Sequence, residues 1–187
     1  MSPTYIALVH HPVLDRAGDE VTTSVTNLDV HDIARSSRTY GLRGYFVVNP
    51  LDAQQPVVQK IIDHWSAGGA GVRRFPERSE AIGLVRLARS VEDAIAEIEQ
   101  REGQKPRLVA TSAKGGPDRR SYEEEVETLR NGSEPTLLLF GTGHGLSPRV
   151  LQRCDAILAP IEGPTEFNHL SVRAAAAITL DRLFGAK

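Results

Sequence analysis

The residues best able to do chemistry gather at the ends of apolar runs. The clearest group is Gly141-Thr-Gly-His-Gly-Leu-Ser147, where three glycines stand at alternate positions after the run TLLLF. Glycine permits positive φ and lets backbone approach a ligand closely, so dinucleotide or phosphate binding is one reading. The details fit neither motif. A phosphate loop needs Gly-Lys-Ser/Thr, and a dinucleotide fingerprint places its third glycine inside the following helix. A plain tight turn is the other reading. His10 and His11 suggest a metal. Adjacent strand residues point to opposite faces, however, and no second His or Cys stands at ligand spacing, so no metal is expected. Lys114, Arg119 and Arg120, within KGGPDRR, form a basic loop that can grip phosphates or stay solvated. Cys154 and Trp65 read as packed side chains, and Glu123 to Glu127 as a solvated helix face.

These groups need a frame, and the apolar pattern supplies one. Strands are predicted at Tyr5–His10, Tyr45–Val48, Ile82–Leu87, Leu108–Thr111, Thr136–Phe140 and Ala156–Leu158. Helices are predicted at Val30–Tyr40, closed by Gly41, and at Pro56–Trp65, ended by Gly68, Gly69 and Gly71. A further helix is capped by Ser90. Ser121-Tyr-Glu-Glu124 has capping-box spacing and opens another, ending near Asn131-Gly132. Ser147-Pro148 starts a short helix, and the last runs from about Leu170 to Phe184. Strand and helix in turn, about six times, predict an α/β fold: a three-layer, mostly parallel sheet covered on both faces. In such sheets ligands bind beyond the carboxyl ends of the strands. That places His10-His11, Asn49-Pro50, Thr111-Ser112, the glycine loop and Pro160-Ile-Glu-Gly-Pro164 at the candidate edge.

Composition sets the outer bounds. A chain of 187 residues with 40% hydrophobic and 25% charged content suits one soluble domain with its own core. One cysteine excludes a disulfide scaffold. No apolar run approaches the roughly 20 residues needed to cross a bilayer, so no membrane partner is expected. MSPTYIALVHH lacks a basic leader, so no signal peptide is expected, and a reducing cytoplasm is the default compartment. The net charge of −2 neither requires nor excludes nucleic acid, because a neutral domain can carry a local basic patch.

Taken together, TLLLFGTGHGLSP and AILAPIEGPTEFNHLSVRAAAAITLDRLFG resemble the paired C-terminal motifs of the SPOUT superfamily of knotted methyltransferases. DVHDIARSSRTYGLRGYFVV resembles the first motif of that superfamily, with Asp29, Arg35 and Gly41 at its spacings. The resemblance runs from about Asp29 to Gly185. It looks closest to a small group of S-adenosylmethionine-dependent RNA methyltransferases related to the tRNA guanine-N1 methyltransferases. The ribose-methylating branch carries Asn where Asp29 stands and a Glu in the loop that here reads Gly143-His144. Its Ser-Leu-Asn corresponds to Phe167-Asn168-His169, with the Asn shifted by one.

The resemblance implies one domain over 1–187, with a deep trefoil knot within about 108–187. It implies a homodimer that binds S-adenosylmethionine and methylates RNA, most of all tRNA. The implied cofactor residues are Thr111, Phe140, Gly141, Thr142, Gly143, His144, Gly145, Pro160, Ile161, Glu162, Gly163, Asn168, His169, Leu170 and Ser171. The small side chains Ala174 to Ala177 would let the last helix pack closely on the knot or a second subunit. Arg35 becomes the catalytic candidate by position, since a cation near the acceptor stabilises a developing oxyanion or orients a phosphate. A solvent-facing helix arginine beside Arg38 is the alternative. Asp29 can take a proton, or it can cap its helix. Lys114, Arg119, Arg120 and Arg38 are the candidates to grip RNA. Two other classes remain in view: an S-adenosylmethionine-binding module without catalysis, and an unknotted nucleotide-binding enzyme.

Overall fold

A computed structural model describes residues 1–66, 72 and 74–186. Six parallel strands form one sheet in the order β5-β4-β1-β7-β6-β8. They are β1 (Thr4–Val9), β4 (Gly44–Val48), β5 (Val85–Ala88), β6 (Arg107–Ala110), β7 (Thr136–Gly141) and β8 (Ala156–Ile157). Two short strands, β2 (Val13–Leu14) and β3 (Glu20–Val21), form a separate antiparallel hairpin. The helices are α1 (Asn27–Thr39), α2 (Gln55–Trp65), α3 (Pro76–Ile82), α4 (Val91–Glu102), α5 (Tyr122–Asn131), α6 (Pro148–Leu151) and α7 (Val172–Phe184).

The runs TYIALV and TLLLF are apolar throughout because β1 and β7 lie at the centre, paired with each other and covered on both faces. Their two-residue period divides the core. Ile6, Leu8, Leu138 and Phe140 point to the face covered by α1, α2, α3, α5 and α7. Tyr5, Ala7, Val9, Leu137 and Leu139 point to the other face, under α4, α6 and Val13 of the hairpin.

The predicted strands and helices are all found, with shifted limits. α1 starts at Asn27 rather than Val30, because Thr26 caps it: the Thr26 hydroxyl accepts from the Asp29 backbone N–H at 3.2 Å. Gly41, at φ 72°, closes it as expected. Both capping boxes form, at Ser90 with Asp93 and at Ser121 with Glu124. Ser171 caps α7, which therefore begins two residues later than expected. Two elements differ from the sequence reading. Ile82 ends α3 instead of opening β5, since Pro76 starts a helix whose Ala81 and Ile82 reach the core. The hairpin of β2 and β3 was not foreseen. Gly68, Gly69 and Gly71, expected to end α2, lie outside the described residues.

Candidate cofactor and acceptor site

Strands β7, β6 and β8 are neighbours in the sheet, so their carboxyl ends deliver three loops to one edge. These are 141–147, 111–121 and 158–171.

The glycine loop is strapped to the hairpin. The His144 N–H donates to the Leu14 carbonyl at 2.8 Å, Leu14 N–H donates to Gly145 at 2.9 Å, and Ser147 N–H donates to Pro12 at 3.2 Å. This explains two of its glycines without any ligand. A Cβ on Gly141 would lie 2.7 Å from Leu146 N, and one on Gly143, at φ 59°, would lie 2.8 Å from Leu14 O. Gly145 and Gly163 differ, because a Cβ on either would meet open space. Of the four glycines assigned to a ligand cradle, these two leave their approach clear. Phe140 is in the core, so only its main chain can serve the edge.

A half-buried polar chain ending on buried His10 fixes the same loop from below. Thr142 Oγ1 donates to Val9 O at 3.1 Å and lies 2.5 Å from Thr23 Oγ1, which lies 2.9 Å from His10 Nδ1. Each hydroxyl has one proton. Thr142 spends its proton on Val9, so Thr23 donates to Thr142 and His10 donates from Nδ1. His10 Nε2 is then the unprotonated nitrogen, buried without a partner. Burial pushes the His10 pKa down to about 4, against a smaller opposing effect of Asp29. His11 lies outside this chain, with its Nδ1 3.0 Å from Thr22 Oγ1. The pair thus shares no site, and among the described residues no group of three or more His, Cys, Asp or Glu could hold a metal.

The loop 158–171 is held more loosely. Glu162 to Phe167 and His169 to Ser171 are exposed, Phe167 at 75% and Leu170 at 46%. Asn168 Nδ2 donates to Ala113 O at 2.9 Å and ties this loop to the one after β6. Arg120 pairs across the end of β8, donating its N–H to Ile157 O at 2.9 Å and accepting from Ala159 N–H at 2.8 Å. Thr111 Oγ1 donates to Leu139 O at 3.0 Å, binding the ends of β6 and β7 together. Thr111, Gly141 to Gly145, Pro160 to Gly163 and Asn168 therefore share one edge.

Arg35 is exposed on α1, where it lines a hollow of about 390 Å³ with Asp32, Ser36, Thr39, Tyr40 and Ala177. Asp29 is not the helix cap. It is the third residue of α1, bonded by the Thr26 hydroxyl at 2.6 Å and facing Arg173 at 3.4 Å. Arg173 also reaches Asp32 at 3.5 Å, so this ion group locks α1 to the first turn of α7. Sequence reasoning missed Arg173 and Thr23. The hairpin carrying the strap had a signal in Asp15 and Gly18: Asp15 Oδ1 accepts from Ala17 and Asp19, and Gly18 has φ 91°.

The four basic candidates separate. Lys114 is exposed, and Arg119 donates from Nε to Lys114 O at 3.1 Å. Arg38 pairs with Glu80. Arg120 Nε lies 3.1 Å from fully buried Glu125, which also takes a two-pronged contact from Arg107 at 2.5 and 2.8 Å. The position of Arg120 is thus explained by the interior.

Residues 3–185 match the model of a family described as SAM-dependent RNA methyltransferase. The chain belongs to that family. Its members use S-adenosylmethionine, and this chain is 49% identical over 181 residues to a tRNA (guanine-N(1)-)-methyltransferase of Oleidesulfovibrio alaskensis. That match covers 97% of this chain and 42% of the relative, so the chain spans under half of the relative's length. An uncharacterized protein of Aquifex aeolicus is 42% identical over 96% of this chain and 87% of its own length. TrmJ from Z. mobilis ZM4 superposes with a TM-score of 0.63 at 18% identity, covering 100% of this chain and 70% of that one, which is a likeness of fold.

The three loops suit the family's cofactor. The open space beside Gly145 and Gly163, together with exposed apolar Phe167 and Leu170, offers room and apolar surface to a ligand with an adenosine and a methionine part. Among the described residues no helix is long and apolar enough to cross a membrane.

Proposed function

We propose that this domain, over 1–187, transfers the methyl group of S-adenosylmethionine to RNA, with tRNA the substrate class. The observation that carries the reading is the shared edge of β7, β6 and β8, where the strapped glycine loop and an open Pro-Gly loop leave the same end of the sheet in a chain of this family. Bound there, the cofactor's sulfonium supplies the electrophilic methyl. The protein's own work is then positioning and exclusion of water. The residues assigned to the cofactor are Thr111, the main chain of Phe140 to Gly145, Pro160 to Gly163, and Asn168 to Ser171.

Arg35 is placed on the acceptor side, where its guanidinium orients a phosphate or stabilises charge developing on the acceptor. Asp29 is a base only when Arg173 releases it. In its present contacts it fixes α7 against α1, and so holds the end of the Pro-Gly loop. Lys114 and Arg119, in the exposed loop after β6, are available to RNA phosphates. Arg38 and Arg120 join them only by leaving Glu80 and Glu125.

We include in this reading a trefoil knot within 108–187, a homodimer and a cytoplasmic setting, with no metal. The pairing of Arg120 across β8 supports the knot, because it wraps the loop after β6 around the last strand. The half-buried Ala174, Ala175 and Ala177 of α7 and the 58% exposed Leu28 of α1 support a second copy packed beside the Arg35 hollow.

The test is transfer of labelled methyl from S-adenosylmethionine to bulk tRNA and to ribosomal RNA. Label in tRNA, lost about a hundredfold or more in Arg35→Ala with cofactor affinity kept, is the expected result. Cofactor binding with no label in any RNA would make the domain a binding module instead.

A further inference from the structure

The methyl-transfer reading leaves one cluster unused, where α2 and α3 pack beside His31 of α1. Trp65 closes α2 with its ring edge-on to His31 at 5.7 Å and to His64 at 5.1 Å. Phe75 lies 6.3 Å from the same ring and is 47% exposed. The Arg78 guanidinium sits 5.2 Å from the Trp65 ring and 5.6 Å from Phe75, and Arg74 sits 5.7 Å from Phe75.

These arginines differ from most others in the chain. Arg38, Arg86, Arg89, Arg101, Arg107, Arg120, Arg149, Arg153 and Arg173 each face a carboxylate. Arg74 and Arg78 make no ion pair among the described residues, and neither does Arg35, one turn beyond His31 on α1. A guanidinium lying over a ring keeps its N–H edge free for a phosphate or a base. The His31 pKa is lowered by burial first and then by the Arg78 guanidinium, with Asp32 opposing and Arg35 and His64 adding smaller effects. Asp32 is itself held by Arg173, and Asp63 accepts from Gln59 at 2.7 Å. Asp63 keeps its charge, since Gln59 is neutral, and α3, the helix of Arg78, also carries Glu77 and Glu80, the latter facing Arg38.

An exposed aromatic ring flanked by arginines outside any ion pair is the chemistry that binds unpaired nucleotides, by stacking on a π-face and by contacts to the backbone; here the ring is Phe75, and Trp65 supports it from the core. A plain hydrophobic partner would not call for three cations outside ion pairs. We propose that Phe75, Arg74 and Arg78, backed by Trp65, form a stacking platform for single-stranded RNA that leads along α1 to Arg35. This deepens the proposed function and rests on it, since it says how the RNA substrate is held.

Trp65 is the only tryptophan in the sequence, so its fluorescence reports on this place alone. The full chain is titrated with an unstructured RNA of about 12 nucleotides, following Trp65 emission and the anisotropy of the labelled RNA. Saturable quenching is expected, with duplex RNA of the same sequence binding more weakly. Phe75→Ala weakens binding about tenfold, and Phe75→Tyr restores it. Arg74→Ala with Arg78→Ala lowers the slope of log affinity against log salt by about 1.4. Arg78→Lys keeps the slope and still loses affinity. Arg153→Ala, which touches Glu92 elsewhere, leaves binding unchanged. S-adenosylmethionine affinity, measured on every variant, stays at the wild-type value, so failure of the platform is distinguishable from failure of the methyl-transfer reading. Wild-type affinity for single-stranded RNA in Phe75→Ala and in the double arginine variant would overturn the proposal. So would the absence of RNA binding by the wild-type chain.

Discussion

The two glycine-bearing loops at the carboxyl edge are held in opposite ways. Loop 141–147 is bonded along its backbone to Pro12 and Leu14, and from below to the chain Thr142–Thr23–His10. Loop 158–171 reaches the loop after β6 through the Ala159 N–H, which donates to Arg120 O, and through the Asn168 side chain, and from Glu162 onward most of it faces solvent. A site needs both properties. A preformed wall sets geometry without losing entropy when the ligand binds, and an adaptable wall closes over the ligand and sheds water. The comparison also divides the glycines: Gly141 and Gly143 are required by close neighbours, Gly145 by its φ of 105°, and Gly163 by neither, so its place is open to a ligand.

The comparison breaks first at Gly143. Gly143→Val forces a branched residue to φ 59° with its Cβ 2.8 Å from Leu14 O. Backbone strain and overpacking together should destabilise by about 4 kcal/mol and lower the melting temperature by roughly 10 °C. Cofactor binding should fall with it. Loss of binding at unchanged melting temperature would show that Gly143 touches the ligand, and not the hairpin.

Acid should loosen the rigid loop next. The pKa of His10 is lowered in the fold to about 4 from an ordinary 6.5. Above pH 6.5 the imidazole is neutral both folded and unfolded, and its full contribution is present. Between 6.5 and 4 only the unfolded chain takes up the proton, so stability falls as pH falls, by about 3 kcal/mol in total. Denaturant unfolding from pH 7 to pH 4 should show that loss, and His10→Gln should flatten it. A profile identical in both proteins would remove His10 from the account.

The open loop should give the mirror result. Gly163→Ala meets nothing within 4 Å, so the melting temperature should not move. Any drop in S-adenosylmethionine affinity then reports a ligand contact, and a drop of several-fold is expected. Asn168→Ala removes one exposed hydrogen bond, worth about 1 kcal/mol, and should lower affinity about fivefold with little change in stability. A large fall in melting temperature in either variant would mean that both loops belong to the rigid part.

The sheet was legible because buried parallel strands must be apolar throughout, as in TYIALV and TLLLF. The helix starts were legible where a cap carries its own signal, as at Ser90 and Ser121. At α1 the sequence leaves Asp29 between a base and a cap, and the cap is Thr26, whose hydroxyl bonds both the Asp29 carboxylate and its backbone N–H. The glycine loop was legible as a place but not as a cause. Its glycines yield to Leu14 and Leu146, and the Leu14 contact comes from 129 positions earlier in the chain, which no local pattern encodes. The pairing of Arg120 with Glu125 was hidden for a related reason. A basic residue in a Gly-Pro loop reads as solvated until a buried carboxylate is placed beside it.

The most direct test of the central claim, that these two loops form a cofactor site, is calorimetric titration with S-adenosylmethionine, with NADH and ATP run in parallel. Micromolar binding of S-adenosylmethionine alone is the expected result. Binding of NADH or ATP, with none of S-adenosylmethionine, would contradict it and assign the glycine loop to a different nucleotide.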